Sequence, residues 1–336
     1  MDLIIALDDS LRYDAEYGTR LSNHLPMLMV ALHRLGATDE RLAAASANYA
    51  GKLHAMPPLQ TWNLGDPWRV PLGQPAAWPR FRDLFTIWLR EELAGETLRQ
   101  TLPALMPGCG AAAFHGLIRT AYAVDAAHRA ELAHALAYWS SRWLDLGVNN
   151  SSDGGQDASP EGQRTDPTPL LKAAAAMPGV GGSASGYIVE RMHHAAWQPG
   201  FAAAVGGLRL DEATLPRLAR HAARLYARSG NFTVLHLVTS AWALRVLLSF
   251  VDEDDLPAAM GGYWRAYAAG AVSVAEKTLK TGPAPDPWPW PRIVQAAVNS
   301  DDEHVVKLVH ACQQEQQAHG GADDWQRAAT RALLGA

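Results

Sequence analysis

The sequence predicts an all-α protein, a single helical array packed around a central cavity. Three observations support this. Apolar residues recur at helical spacing through most of the chain. No segment alternates apolar and polar residues over a convincing strand length. No internal repeat of fixed period is present, which argues against a solenoid. With 336 residues, 48% hydrophobic and 19% charged, the chain can bury a sizeable core.

Composition excludes several classes. The formal net charge is -5, and no basic stripe is present, so a nucleic-acid partner is not expected. Cys109 and Cys312 make neither a disulfide framework nor a CxxC zinc pattern and are expected as buried free thiols. The first residues, MDLIIALDDS, lack the basic start and the apolar length of a signal peptide. No window approaches the roughly 18 apolar residues of a membrane span. A soluble, cytoplasmic protein is the expectation.

Taken in order, Leu11–Leu35 carries apolar residues at helical spacing and Gly36 stops it. Ser22 or Asn23 can cap the helix that contains Met27 to Leu32, and Pro26 suits its first turn. His24 therefore sits at a helix entrance. Thr38–His54 is a second, alanine-rich helix. Met56–Pro79 is broken by prolines and glycines and reads as an ordered loop carrying Trp62, Trp68 and Trp78. Arg80–Leu102 returns to helix. Ala111–Val124 is a buried helix with His115 inside it, followed at once by Gly116. Glycine costs about 1 kcal/mol within a helix, so the position needs room. Arg119 lies one turn on. Ala126–Leu146 is the next helix.

Gly147–Pro169 is rich in Gly, Ser, Asn, Asp and Pro and has no periodicity. It reads as a flexible insertion, at about 147–169, within one domain spanning 1–336. Pro178–Gly186 meets no nucleotide-binding spacing and follows no strand, so it reads as a turn. Leu215–Ser229 is a basic amphipathic helix ended by Gly230. Asn231 then caps a helix that is apolar nearly all round and therefore central. His236 and Thr239 share one of its faces. Ala258–Lys280 is a further helix, and Thr281–Pro291 a stiff proline-rich turn with Trp288 and Trp290. Asp301–Cys312, DDEHVVKLVHAC, is a helix entered through Asp301 or Asp302. His304 and Lys307 share a face of this mostly apolar helix. A buried lysine is costly unless something uses it. The remaining Gln313–Ala336 is a polar tail and a short helix.

His24, His115, His236 and His304 thus fall on four separate apolar helices, at positions read as facing inward. Neutral imidazoles suit iron, zinc, copper or nickel. The blocks around them, NHLPMLMVAL (Asn23–Leu32), FHGLIRTAYA (Phe114–Ala123), LHLVTSAWAL (Leu235–Leu244) and DDEHVVKL (Asp301–Leu308), resemble the recurrent blocks of the questin oxidase-like family, over almost the whole chain and in the right order. That family includes fungal enzymes of anthraquinone and aflatoxin-type polyketide pathways. They are associated with oxygen insertion and oxidative ring opening, and some are described as requiring NADPH.

The resemblance implies a non-haem iron centre, Fe(II) with O2 as co-substrate, held by four histidines and a carboxylated lysine. Carried over by motif, the histidines are His24, His115, His236 and His304. The lysine is Lys307, with Lys277, after Glu276, as the second candidate. Burial would leave Lys307 as a free amine able to add CO2, and the resulting carbamate is an anionic ligand. Thr239 and Arg119 are candidates to orient substrate or move protons. Trp62, Trp68, Trp288 and Trp290 are candidates to wall a flat apolar pocket for a small aromatic substrate. The chain is shorter than the fungal enzymes and need not share their substrate. It carries no flavin or NADPH fingerprint. Two rival readings stand beside this one. The first is a metal-dependent hydrolase with a carboxylated lysine, which the lack of strand signal disfavours. The second is a helical module that binds a hydrophobic ligand.

Overall fold

The computed structural model describes all residues except 64, 148–163, 181–185, 275–280, 322 and 336. Sixteen α-helices are found among the described residues: α1 Leu3–Ser10, α2 Leu25–Arg34, α3 Asp39–Ala50, α4 Trp78–Glu91, α5 Ala94–Leu105, α6 His115–Asp125, α7 Arg129–Ser141, α8 Thr168–Ala175, α9 Ile188–Ala196, α10 Phe201–Val205, α11 Thr214–Ser229, α12 Phe232–Leu248, α13 Leu256–Ser273, α14 Trp290–Val298, α15 Glu303–His319 and α16 Asp324–Leu334. The sheet content among these residues is one hairpin, β1 Glu16–Tyr17 paired antiparallel with β2 Leu21–Ser22. The all-α class expected from periodicity is the class observed. No helix among the described residues is long and apolar enough to cross a membrane.

Four helices form a closed ring. α2 packs on α6, α6 on α12, α12 on α15, and α15 back on α2. Of these, α12 is buried along nearly its whole length, as its all-round apolar sequence requires. Asn231 caps it by accepting from the Thr233 and Val234 N–H groups. The other helices pack outside this ring: α7 against α4 and α6, α13 against α9 and α12, α16 against α11 and α15. One contiguous apolar core runs from Leu3 to Ala332.

Several boundaries differ from the expected ones. The helix expected over Leu11–Leu35 is interrupted by the β1–β2 hairpin, and only Leu25–Arg34 is helical there. Local polar groups explain the break, because Asn23 and Ala15 join their backbones across the hairpin (2.8 Å). The helix expected from Ala111 begins only at His115. Arg80–Leu102 splits into α4 and α5 at the extended residues Glu92 and Leu93. The expected polar tail is mostly helix, because α15 runs on to His319 and α16 follows. Residues 148–163 of the expected insertion lie outside the described residues, and its end is already helical in α8. Lys277 and Glu276 also lie outside the described residues. The tryptophans do not wall one pocket. Trp62 stacks on Phe81 and Trp68 meets Phe85 and Trp88, all on α4. Trp288 instead lies under the Arg292 guanidinium, and Trp290 starts α14.

Candidate metal centre

Each helix of the central ring carries one of the four histidines at or near its N-terminus. His24 is the residue that caps α2, and its backbone N–H donates to the Tyr49 hydroxyl (3.1 Å). His115 opens α6 after three successive left-handed residues, Ala112, Ala113 and Phe114, at φ 46, 57 and 68°. Left-handed backbone costs a non-glycine residue roughly 1–2 kcal/mol. The cost is held by packing: the fully buried Phe114 ring sits against Tyr263 and beside Gly270. The turn brings the Ala112 carbonyl to the His115 ring. Gly116 is explained by the next helix, since a Cβ there would stand 2.7 Å from the Trp139 ring of α7. His236 lies in the second turn of α12. His304 is the second residue of α15, whose cap, Asp302, accepts from the His304 and Val305 N–H groups.

The four rings meet in the same cyclic order as their helices. Centroids are 4.7 Å apart for His24 and His115, 4.9 Å for His115 and His236, 5.9 Å for His236 and His304, and 4.6 Å for His304 and His24. In each ring Nδ1 faces an oxygen: Glu303 Oε1 for His24 (3.3 Å), the Ala112 carbonyl for His115 (2.5 Å), the Phe232 carbonyl for His236 (2.8 Å) and Asp302 Oδ1 for His304 (3.4 Å). A carbonyl or carboxylate only accepts, so Nδ1 carries the proton and Nε2 presents a lone pair. His24 Nε2 and His115 Nε2 are 2.7 Å apart. His236 Nε2 is buried and has no partner among the described residues.

Burial lowers the proton affinity of all four imidazoles and Lys307 lowers it further, with neighbouring imidazoles adding to the effect at His24, His115 and His236. His236 falls to about 3, while the hydrogen bond that His304 donates to Asp302 partly opposes the effect at His304. The histidines are therefore neutral at pH 7, the form that binds metals. Lys307 is buried one turn beyond His304, and desolvation lowers it to about 8 against the opposing pull of Glu303 and Asp302. Four neutral imidazole rings clustered beside a buried, readily deprotonated amine suit a late first-row metal ion. One nitrogen each of His24 and His304 and one oxygen of Glu303 also lie within 4.8 Å of one another.

The sequence reading did not single out Glu303. It bonds His24, lies 3.8 Å from His304 Nδ1, and pairs with Lys52 (3.6 Å), whose ammonium sits 3.8 Å over the Tyr49 ring. Its only signal in the sequence was its place before His304 in DDEH, where a first-turn acid is ordinary. A cleft of about 360 Å³, lined by Leu28, Arg41, Tyr49 and Lys52 among others, opens next to this group. Phe232 was missed as well. Its ring packs edge-on to His236 and His304, yet it is 52% exposed.

The two residues expected to act on substrate are placed differently. Thr239 donates to the Leu235 and His236 carbonyls of its own helix. Arg119 is fully buried and bound through two hydrogen bonds (2.6 and 2.9 Å) to Glu131 of α7. Arg119 thus ties α6 to α7, whereas the bonds of Thr239 stay within α12.

A model of the questin oxidase-like family matches residues 21–197 and 211–312. The chain belongs to the questin oxidase-like family. All four histidines, Glu303 and Lys307 fall inside the matched residues. Membership implies an oxidoreductase. A search of the curated proteins finds no match.

Proposed function

We propose that this questin oxidase-like protein is a non-haem iron oxygenase that uses O2 to oxidise a flat aromatic polyketide or polyphenol, anthraquinone-like in class, by oxygen insertion or ring cleavage. The observation that carries the reading is the clustering of four neutral imidazole rings, one from each helix of the central ring, beside buried Lys307. Family membership supports an oxidative reaction. In this reading His24, His115, His236 and His304 hold Fe(II) through Nε2, and Lys307 supplies an anionic oxygen. The Lys307 amine adds CO2 and releases one proton, which leaves Nζ as a carbamate. When bound, iron supplies the one-electron chemistry that lets O2 react with a closed-shell aromatic.

The protein's own residues do the rest. Ala112, Phe232, Glu303 and Asp302 keep a proton on each Nδ1 and so fix the ring orientations. Phe232 offers a partly exposed aromatic face beside His236 and His304, on which a flat substrate stacks. Lys52 places positive charge at the cleft, where a phenolate would approach. A phenol or hydroquinone substrate brings its own electrons, so this reading needs no NADPH. The two buried free thiols suit a reducing compartment such as the cytoplasm.

The test is the metal content of freshly purified protein by plasma mass spectrometry, together with Lys307→Ala. About one iron per chain, lost in the variant and not restored by bicarbonate, supports the centre. Oxygen uptake on polyphenols then tests the reaction. No metal above trace after anaerobic iron loading would overturn the reading in favour of a ligand-binding module.

A further inference from the structure

Directly behind the histidine cluster lies a second buried cluster with no role in the reading above. Tyr122, Trp242 and His310 are each about 1% exposed. Their rings touch in a closed triangle, with centroids 4.4 Å apart for Tyr122 and Trp242, 5.3 Å for Tyr122 and His310, and 5.0 Å for Trp242 and His310. The Tyr122 hydroxyl is 3.1 Å from His310 Nδ1.

These residues come from the helices that carry the proposed ligands. Tyr122 follows His115 by seven residues on α6, Trp242 follows His236 by six on α12, and His310 follows His304 by six on α15. At about 1.5 Å per residue, each stands roughly 9 to 10.5 Å along its helix from a histidine of the cluster. A phenol hydroxyl buried this deeply needs an acceptor, and His310 Nδ1 is the one within reach, so the phenol donates. Burial and the nearby Arg34 and Arg245 keep His310 neutral.

We propose that Tyr122, Trp242 and His310 form a one-electron donor that serves the oxidising centre. The proposal rests on the oxygenase reading for its oxidant, an oxidised non-haem iron left without substrate. In the donor step Tyr122 gives up one electron through Trp242, and the oxidant is reduced by one electron. The Tyr122 O–H bond breaks and its proton moves along the existing hydrogen bond to His310 Nδ1. The products are a neutral tyrosyl radical and an imidazolium. Arg34 and Arg245 disfavour that imidazolium, so the proton returns to Tyr122 once an electron is restored. The triad thereby spares the metal-binding side chains from oxidation during turnover that misses substrate.

The experiment uses full-length metal-free protein and a photogenerated, soluble one-electron oxidant, followed by electron paramagnetic resonance. Wild type is expected to give a tyrosyl radical whose hyperfine pattern narrows with ring-deuterated tyrosine and which outlives that of Tyr122→Phe at least tenfold. His310→Phe is expected to lose this long-lived signal although Tyr122 is intact. A merely structural histidine would leave it unchanged. Equal signals and lifetimes in wild type and Tyr122→Phe would overturn the proposal. Circular dichroism checks folding of both variants. Should either fail to fold, wild type alone decides: an exchangeable proton coupled to the radical, lost in D2O, is expected, and its absence overturns the donor. A protein that forms this radical but never binds iron would keep the donor and lose the oxygenase reading. Iron binding without the radical would do the reverse.

Discussion

His24 Nε2 and His115 Nε2 face each other at 2.7 Å, each as a lone pair, because Glu303 and the Ala112 carbonyl hold the protons on the opposite nitrogens. Two facing lone pairs repel unless a cation lies against them. The metal-free protein should therefore be stabilised by added metal. Anaerobic Fe(II) at about 100 times its dissociation constant is expected to add about 2.7 kcal/mol, read as a rise in Tm. His115→Ala should abolish that rise.

Glu303 tests the orientation of the rings. Changing the carboxylate that accepts from His24 typically weakens a metal site by about 10–100-fold. Glu303→Gln is expected to lose affinity in that range, measured by chelator competition, with metal still bound at saturation. An unchanged affinity would remove Glu303 from the site.

Gly116→Ala sets two effects against each other. Alanine gains about 1 kcal/mol of helix propensity over glycine. Its Cβ would lie 2.7 Å from the Trp139 ring and 2.8 Å from the Trp139 Cα, so α6 must move off α7. Overpacking of this kind costs about 1–3 kcal/mol. Urea unfolding should show a net loss of stability, and the metal affinity should fall with it, because His115 moves with α6.

Arg119 and Glu131 form a buried, doubly hydrogen-bonded pair. Removing one partner of such a pair costs about 3–5 kcal/mol. Glu131→Gln is expected to lower the denaturation midpoint by a corresponding amount while the protein still binds metal. A variant of full stability with no metal would instead give the pair a direct role at the site.

The buried histidines make the metal-free protein sensitive to acid. His236 and His310 are held down to about 3, against about 6.5 in the unfolded chain. Between those values the unfolded state binds protons that the native state refuses, so stability falls as pH falls from about 6.5 toward 3. His310 alone accounts for a loss on the order of a few kcal/mol. Denaturation midpoints measured from pH 7.5 down to 4 should decrease throughout, and His310→Gln should flatten the slope.

The all-α class could be read from periodicity, because burying one face of a helix imposes a regular pattern on its own residues. The caps of α12 and α15 were legible for a similar reason: Asn231 and Asp302 act on N–H groups two or three residues away. The four histidine blocks were visible as polar interruptions in apolar helices. The start of α6 was not, because Ala112, Ala113 and Phe114 turn left-handed only under the packing of Phe114, which no local propensity encodes.

The roles of individual polar residues divided in the same way. Arg119 and Thr239 are polar residues in buried helices, and sequence alone offers no means of telling a substrate-facing group from one bonded to Glu131 or to its own helix. Glu303, Phe232 and the Tyr122–His310 contact depend on which helices become neighbours. Residues far apart in the chain, such as His24 and Glu303, meet because α2 and α15 close the ring. Helix formation and capping are local and so are written in adjacent residues. Which lone pair faces which, and which carboxylate holds which proton, is set by long-range packing of the whole core.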